Sequence, residues 1–341
     1  MTTLKVGVIG CGAIAQRRHL IEYAVNSNVE IVAVCDVVEE RAADMASKYG
    51  AEKYTDYKEL LKDEQIDAIS VCLPNYLHAS VSIDALNAGK HVLCEKPMAT
   101  SYEEAESMIQ AAKDNGKLLM IGHNQRFVGS HQRAKQLLDS GELGKVYSFR
   151  STFGHGGPEG WSVDGRDSWF FDKERAFIGA LGDLGVHKAD LIRYLLGEVA
   201  EVGAFVESGA KGDSDVDDNA VCIVKMESGV IGNLTASWSY VDSGDNSTVI
   251  HTENAVLYLE SDPEFSLIVQ YKTGEVVKYQ LEKIQTNEAG GQTTSHVIDH
   301  FVDAILNNKQ PLITGEEGSK SLNVILAALE SNETRQIVKV K

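Results

Sequence analysis

The sequence lacks several features that would mark particular classes of protein. Its 341 residues include five cysteines, none spaced as C-x-x-C, which argues against a zinc site built on thiolates. No stretch approaches ~20 unbroken apolar residues, so we expect no membrane span. The chain does not begin with a charged leader and a long apolar run, so we expect no signal peptide and a cytoplasmic protein.

Positive charge is also scarce. The chain has 32 Lys and Arg against 50 Asp and Glu, which gives a formal net charge of −18 at pH 7. Such an acidic surface repels phosphate backbones and argues against nucleic acid as a partner. The length is too great for one compact core of ordinary size, so we expect two domains.

Apolar runs in the first third are predicted as strands, with amphipathic helices between them. These runs are Lys5–Ile9, Glu30–Asp36, Ala68–Leu73, His91–Cys94 and Leu118–Ile121. The alternation indicates βαβ units and a buried parallel sheet. After Gly122 it gives way to runs in which apolar and polar residues alternate, which is typical of an antiparallel sheet with one exposed face.

A glycine-rich motif, GCGAIA at Gly10–Ala15, lies between the first predicted strand and the first predicted helix. Gly10 permits a tight turn, and Gly12 lets the backbone approach a pyrophosphate at the helix N-terminus. Asp36 ends the next strand and can accept hydrogen bonds from both ribose hydroxyls, while its charge repels a 2′-phosphate. We therefore predict NAD rather than NADP, bound by Gly10, Gly12, Ala13, Ile14 and Asp36.

Lys96 comes shortly after the predicted strand His91–Cys94. Ligands of open α/β sheets lie beyond the carboxyl ends of the strands, so Lys96 can reach the reactive ring of a cofactor. Pro97 restricts Lys96 to an extended conformation, which fixes its direction. The alternative is a solvated surface lysine, which is the usual environment of this residue type.

The stretch GDLGVHKAD places two acids around one histidine. Asp183 lies four positions before His187 and Asp190 three after it, so a helix would bring all three to one face. A general base needs one ring nitrogen toward the substrate and the other held by an acceptor, which either acid can supply. The alternative is an exposed helix with paired charges. A mostly apolar stripe is expected to face the core, at Leu184, Lys188, Leu191 and Leu195.

Four segments, in this order along the chain, resemble the Gfo/Idh/MocA family of NAD(P)-dependent oxidoreductases, which includes inositol dehydrogenases and glucose–fructose oxidoreductases. They are GCGAIA at Gly10, LPNYLH at Leu73–His78, EKP at Glu95–Pro97 and GDLGVH at Gly182–His187. The resemblance implies an α/β fold, with an N-terminal Rossmann domain and its parallel sheet at residues 1–122. A C-terminal α/β domain with a large open, mainly antiparallel sheet is then expected at residues 123–341. In family members that sheet packs against another subunit, which implies a homodimer or homotetramer.

The resemblance also extends the expected site. It adds to the cofactor-binding residues Leu73, Pro74, Asn75, His78, Glu95 and Lys96. It assigns Asp183 to the substrate site, which leaves Asp190 as a possible orienting group for His187. Arg126 and Trp169 lie in regions that related enzymes use to bind polyols, so both are candidates for substrate binding. The family works without metal, so no metal ion is expected.

The implied function is hydride transfer between NAD and a secondary alcohol of a sugar, inositol or related polyol. We expect His187 to be the general base and Lys96 to stabilise the developing alkoxide, with Asp183 as the third catalytic residue; all three also bind the substrate. The roles of His187 and Lys96 can also be reversed. Two other classes stay open: a dinucleotide-binding regulator without turnover, and an NAD-dependent glycosidase. A regulator would be free to lose these three residues, and this chain has them all.

Overall fold

The computed structural model describes residues 3–212, 214–241, 244–282 and 294–341, and these form two compact units. The described part of the first unit comprises residues 3–123, 161–169 and 294–319. The remaining residues form the second unit. The predicted division after residue 122 assigned the two later segments of the first unit to the second domain. Periodicity in a sequence reports local elements and not which core they join, and the boundary after residue 122 stays a prediction.

The first unit contains a six-stranded sheet in which every neighbouring pair is parallel. Its strands are β1 (Leu4–Ile9), β2 (Val29–Cys35), β3 (Glu52–Tyr54), β4 (Ala68–Val71), β5 (His91–Cys94) and β6 (Leu119–Ile121). The strand order is β3-β2-β1-β4-β5-β6, which is the Rossmann order. The order reverses between β1 and β4, and ligands of such sheets bind at this switch point. The predicted parallel sheet is confirmed, with β3 as an additional short strand.

The second unit contains a nine-stranded sheet. Its strands are β7 (Val146–Gly154), β8 (Val199–Glu207), β9 (Asn219–Met226), β10 (Ile231–Ser237), β11 (Thr248–Thr252), β12 (Ala255–Leu259), β13 (Leu267–Tyr271), β14 (Val276–Tyr279) and β15 (Val338–Lys339). They lie in the order β14-β13-β12-β11-β7-β10-β9-β8-β15. The pairing is antiparallel, as predicted, except between β7 and β10, which run parallel with Ser237 beside Gly154. The carboxyl ends of β7 and β10 therefore meet at one edge of the sheet.

One face of this second sheet is exposed, as its alternating sequence predicts. In β9 the side chains of Ala220, Cys222 and Val224 are buried, whereas Val221 and Ile223 between them are 49% and 70% exposed. Successive side chains of a strand point to opposite faces, so one face contributes to the core of this unit and the other reaches the surface.

Ten α-helices accompany the two sheets in the described residues. They are α1 (Leu20–Val25), α2 (Glu39–Tyr49), α3 (Tyr57–Leu61), α4 (Asn75–Asn87), α5 (Tyr102–Asn115), α6 (Gly129–Asp139), α7 (Lys173–Ala176), α8 (Val186–Leu196), α9 (Val297–Leu306) and α10 (Gly315–Thr334). π-helical turns at Ala15–His19 and Leu181–Gly185 precede α1 and α8. None of the described helices is both long and apolar enough to cross a membrane.

Helix α5 illustrates why these segments are helical. Ser101 caps its N-terminus by accepting a hydrogen bond from the backbone N–H of Glu104, and Glu103 adds a second acid to the first turn. Gly116 ends the helix with φ +60°, a left-handed conformation that glycine adopts without a Cβ clash. The start and stop signals of the sequence therefore coincide with the ends of the helix.

Candidate active site

The loop after β1 has the shape that a dinucleotide pyrophosphate requires. Gly10 has φ +93°, and a Cβ there would lie 2.2 Å from the carbonyl oxygen of Cys72, so only glycine fits. A Cβ at Gly12 would meet none of the described atoms within 4 Å, which leaves the backbone there open to a ligand. A helical segment starts directly after the loop, and its N-terminus favours a negatively charged group. These residues fit a dinucleotide.

Asp36 directly follows β2, where sequence reasoning placed the ribose-binding acid. Its carboxylate accepts hydrogen bonds from the backbone N–H groups of Cys11 at 2.8 Å and Val38 at 2.9 Å. The acid is therefore fixed against the glycine loop. Arg41, which sequence reasoning missed, places a guanidinium nitrogen 3.8 Å from Asp36 and another 2.8 Å from Asp164. This positive charge offsets part of the repulsion that Asp36 exerts on a 2′-phosphate.

A buried polar network lies beneath the segment that carries Lys96. His19, from the first π-helical turn, places Nε2 2.9 Å from Glu95 Oε1 and Nδ1 3.1 Å from Ser70 Oγ. The hydroxyl of Tyr23 lies 2.8 Å from the same Ser70 oxygen. Buried polar groups require partners, and this network supplies them.

The charge of Glu95 is stabilised inside the protein. Burial by itself raises the pKa of Glu95, but the hydrogen bond and charge of His19, with Arg18 and Lys96 nearby, outweigh burial and lower the pKa from 4.5 to about 2. The second carboxylate oxygen accepts from the backbone N–H of Lys96 at 3.2 Å. Glu95, predicted to bind the cofactor, thus also anchors the residue that follows it.

His78, another predicted cofactor-binding residue, joins two loops at the carboxyl edge of the sheet. Nδ1 lies 2.7 Å from the carbonyl oxygen of Pro97, and Nε2 lies 2.7 Å from that of Leu73. The ring is 1% exposed, and burial lowers its pKa. The ring therefore lies between the segments after β4 and β5, and the single N–H of the neutral imidazole donates to one of the two carbonyl oxygens. A cis peptide bond joins Lys96 and Pro97. The cofactor contacts of Leu73, Pro74 and Asn75 stay predictions.

The second group of predicted residues lies where the π-helical turn Leu181–Gly185 continues into α8. Asp183 is in the turn and His187 is in the first turn of α8, and their side chains are buried. The alternative of an exposed helix with paired charges is thus wrong, since α8 is buried on nearly all sides. The indole Nε1–H of Trp238 donates to Asp183 Oδ2 at 3.2 Å, and the ring of Phe153 lies 5.8 Å from that of His187.

Trp238 and Phe153 escaped sequence reasoning, although both belong to the surroundings of the Asp–His pair. Phe153 is the penultimate residue of β7, and Trp238 directly follows β10. The two strands run parallel, so their carboxyl ends lie at one edge. Only the strand direction could have identified this pair, and alternating periodicity does not specify direction.

Asp190 and Arg126 form a buried ion pair that sequence reasoning did not predict. Arg126 donates through Nε and Nη2 to Asp190 at 2.9 and 2.7 Å, and Ser321 donates to Asp190 at 2.9 Å. Both members of this ion pair are buried, and the guanidinium lies over the ring of Tyr194. A planar guanidinium matches a carboxylate in two hydrogen bonds, and a buried charge must be paired. The charges of Arg126 and Asp190 thus satisfy each other, and the contacts of Arg126 with the substrate and of Asp190 with His187 stay predictions.

Lys188 is completely buried, as expected for its stripe of the helix. Its ammonium group donates to the carbonyl oxygen of Asn246 at 2.8 Å and lies 5.8 Å from the centre of the Phe153 ring. Burial is the main cause that lowers the pKa of Lys188 from 10.5 to about 7. Lys188 therefore fastens α8 to the segment before β11.

Trp169 lies in a short 3-10 turn, Trp169–Phe171, and is half-buried. Its contact with a substrate stays a prediction. Among the residues that the structure describes, no group of three or more His, Cys, Asp or Glu is arranged to hold a metal ion.

Comparison with known proteins assigns the chain to a family. Residues 4–123 match the Gfo/Idh/MocA family described as "Oxidoreductase family, NAD-binding Rossmann fold", and residues 131–258 match the "GFO/IDH/MocA C-terminal domain". The chain is 32% identical to levoglucosan dehydrogenase of Pseudarthrobacter phenanthrenivorans over 270 residues, which cover 70% of this chain and 68% of the relative. It is 26% identical to myo-inositol 2-dehydrogenase of Thermotoga maritima over 99% of both chains.

A solved structure of levoglucosan dehydrogenase, in complex with NADH and levoglucosan, superimposes with a TM-score of 0.87 at 26% identity. The match covers 99% of this chain and 100% of that one. The glycine loop, the acid after β2 and the Rossmann strand order agree with these matches. The chain therefore belongs to the Gfo/Idh/MocA family and is an NAD-dependent oxidoreductase.

Proposed function

We propose that this enzyme oxidises a secondary alcohol of a sugar, inositol or related polyol. The observation that carries the proposal is that Asp183 and His187 are both buried where the π-helical turn continues into α8, with Asp183 held by the indole N–H of Trp238. An acid and a histidine side by side suit a substrate that presents several hydroxyl groups and must lose a proton from one of them. Relatives named for levoglucosan and myo-inositol support this substrate class.

Each of the three catalytic residues has one proposed role. His187 takes the hydroxyl proton, Lys96 stabilises the negative charge that develops on the oxygen, and Asp183 binds the polyol. NAD, when bound, would supply the acceptor for the hydride that leaves the same carbon. The loop Gly10–Ala15 and Asp36 would hold the dinucleotide. Exchange of the base and charge roles between His187 and Lys96 is the variant mechanism to be tested.

A substrate screen with NAD tests the proposal. Levoglucosan, myo-inositol and simple glucosides are incubated with the purified enzyme, and NADH absorbance is followed over many turnovers. We expect a steady rise with at least one free polyol. Release of a sugar from a glucoside without net NADH would support a glycosidase, and NAD binding without any turnover would support a regulator. Either result would overturn the proposal.

We also propose that the exposed face of the second sheet is the contact surface of a homodimer or homotetramer. Phe205, Val221, Ile223 and Ile231 are 67%, 49%, 70% and 57% exposed, and Phe205 pairs with Val221 across strands. An exposed apolar group of this kind is typical of an interface. Sedimentation of the parent and of Ile223→Glu is the test. We expect an oligomer that the charge dissociates, whereas a monomeric parent would contradict the proposal.

A cytoplasmic location is also part of the proposal. All five cysteines are free and buried, which suits a reducing compartment. Fractionation of cells that express the full gene is the test, with the enzyme expected among cytoplasmic proteins.

A further inference from the structure

Trp238 is a neighbour of Asp183 that no local feature of the sequence predicts. Its indole N–H donates to Asp183 Oδ2 at 3.2 Å, and Trp238 is among the largest completely buried side chains of the protein. A buried tryptophan requires an acceptor for its single N–H, and a buried carboxylate requires donors. This one hydrogen bond therefore gives the indole N–H an acceptor and the buried carboxylate a donor.

The indole has little freedom to move. The rings of Phe170 and Phe171 approach it edge-on, with centroid distances of 6.3 and 6.0 Å. The backbone N–H of Trp238 donates to the carbonyl oxygen of Asp218 at 2.8 Å. Edge-to-face packing and a fixed backbone hold the N–H in one direction.

The segment that holds Trp238 also holds the turn that carries Asp183. The carboxylate of Asp217 accepts from the backbone N–H groups of Gly179 and Leu181, both at 2.7 Å. A Cβ at Gly179 would lie 1.9 Å from the carbonyl oxygen of Asp217, so the two backbones are in close contact. The donor and the acceptor of the Trp238–Asp183 hydrogen bond are thus both fastened to residues 217–218.

We propose that Trp238 is a positioning residue for the reaction, whose N–H fixes the carboxylate of Asp183 in the orientation that binds the polyol. The inference rests on the role of Asp183 in the proposed function. Trp238 acts through Asp183 and touches neither the reacting carbon nor the dinucleotide. Loss of its N–H should therefore impair the use of the polyol and leave the affinity for NAD unchanged.

The test is Trp238→Phe, which keeps an aromatic ring and removes the donor. We expect kcat/KM for the polyol to fall about tenfold, the effect of one lost hydrogen bond to a charged group. The dissociation constant of NAD should stay within about twofold of the parent value, a difference of about 0.4 kcal/mol. Phe301→Leu is the control, because it changes a completely buried ring in α9 and retains the indole N–H with its neighbours Phe170 and Phe171; its kcat/KM should stay at the parent value.

A double-mutant cycle separates positioning from general damage. Asp183→Asn is combined with Trp238→Phe, and the kcat/KM losses are compared. If Trp238 acts through Asp183, the kcat/KM of the double variant should lie within about twofold of the kcat/KM of Asp183→Asn alone. Losses that multiply, or a Trp238→Phe enzyme with more than half the parent kcat/KM, would overturn the inference.

A non-natural residue at Trp238 and the activity of Asp183→Asn distinguish failure of this inference from failure of the proposed function. Replacement of Trp238 by β-(benzothiophenyl)alanine preserves the shape of the indole and lacks the N–H, so it serves if Trp238→Phe does not fold. The same tenfold loss is expected, and parent activity would overturn the inference. Full activity of Asp183→Asn would instead contradict the proposed role of Asp183, so the two failures are distinguishable.

Discussion

The two π-helical turns, Ala15–His19 and Leu181–Gly185, make an informative comparison. Each follows a stretch that contains glycine, and each continues into an α-helix. The first turn sends His19 to Glu95 and Ser70, and the second holds Asp183 against Trp238. Turns of this kind are rare and are frequently found at functional sites.

The turns differ in where their partners come from. The partners of the first turn are Ser70 in β4 and Glu95 directly after β5. Both strands belong to the βαβ units that the glycine motif indicates. The partner of the second turn, Trp238, follows β10 and is 55 positions from Asp183. This separation is similar to the 51 positions between His19 and Ser70, so the turns differ in the connection between their strands and not in sequence distance. The predicted nucleotide-binding residues lie in consecutive βαβ units, so they can be predicted from the sequence. The surroundings of the Asp–His pair cannot, because they depend on the topology of the second sheet.

The largest expected effect is at the second turn. His187→Ala should lower kcat/KM by about 10²–10⁴-fold, because it removes the general base. The affinity for NAD should not change. His251→Ala is the matched control, since His251 is exposed on β11 and should retain parent activity. A His187→Ala enzyme with more than half of the parent kcat/KM would remove this residue from the mechanism.

Lys96 directly follows Glu95, the partner of the first turn, and its substitution tests the catalytic role proposed for it. Lys96→Met should lower kcat by about 10²-fold or more, the loss expected for a positioned charge that stabilises the developing alkoxide. NAD binding should stay almost intact, as measured by fluorescence titration. Lys62→Met, at a side chain that is 69% exposed, is the control for a merely surface lysine. Equal behaviour of the two variants would contradict the assignment.

Glu95 tests whether the buried network of the first region contributes stability. Its pKa is depressed in the folded protein, so the stability it contributes is present above pH 4.5 and is lost as the pH falls toward about 2. Glu95→Gln should lower the free energy of unfolding by roughly 3 kcal/mol at neutral pH, since it breaks a buried pair. Urea unfolding should show this difference shrinking in acid. A difference that is constant with pH would contradict the account, and Glu39→Gln at the surface should change little.

Asp36 is expected to have the smallest effect. The parent should bind NAD at least about tenfold more tightly than NADP, which corresponds to about 1.4 kcal/mol. Asp36→Ala should narrow this preference, because the charge that repels the 2′-phosphate is gone. Arg41→Ala should widen it, because the nearby guanidinium is lost. Equal affinities of the parent for the two dinucleotides, in a fluorescence titration, would sink the cofactor assignment.

Much of the fold was predictable, for physical reasons that particular residues illustrate. The strand His91–Cys94 was predicted with its observed bounds, because a short apolar run between polar turns is a local signal. Gly10 and Asp36 were found because a loop between strand and helix restricts residue types at fixed spacing. Within the candidate site, the sequence also located the Asp183–His187 pair.

The parts that escaped prediction depend on contacts between distant segments. Arg126 and Asp190 are 64 positions apart in the sequence, and their buried ion pair has no local signature. The parallel pairing of β7 and β10 depends on how the chain connects them, which alternation of apolar residues does not record. Trp238 could not be linked to Asp183 for the same reason.

The pH dependence of kcat/KM tests the central claim most directly, since it asks which group removes the proton. It is measured for the parent, His187→Ala and Lys96→Met with the same polyol. The account predicts an acid limb near neutral pH in the parent, which is retained in Lys96→Met and absent in His187→Ala. An acid limb that persists unchanged in His187→Ala would show that another group is the base and would contradict the account.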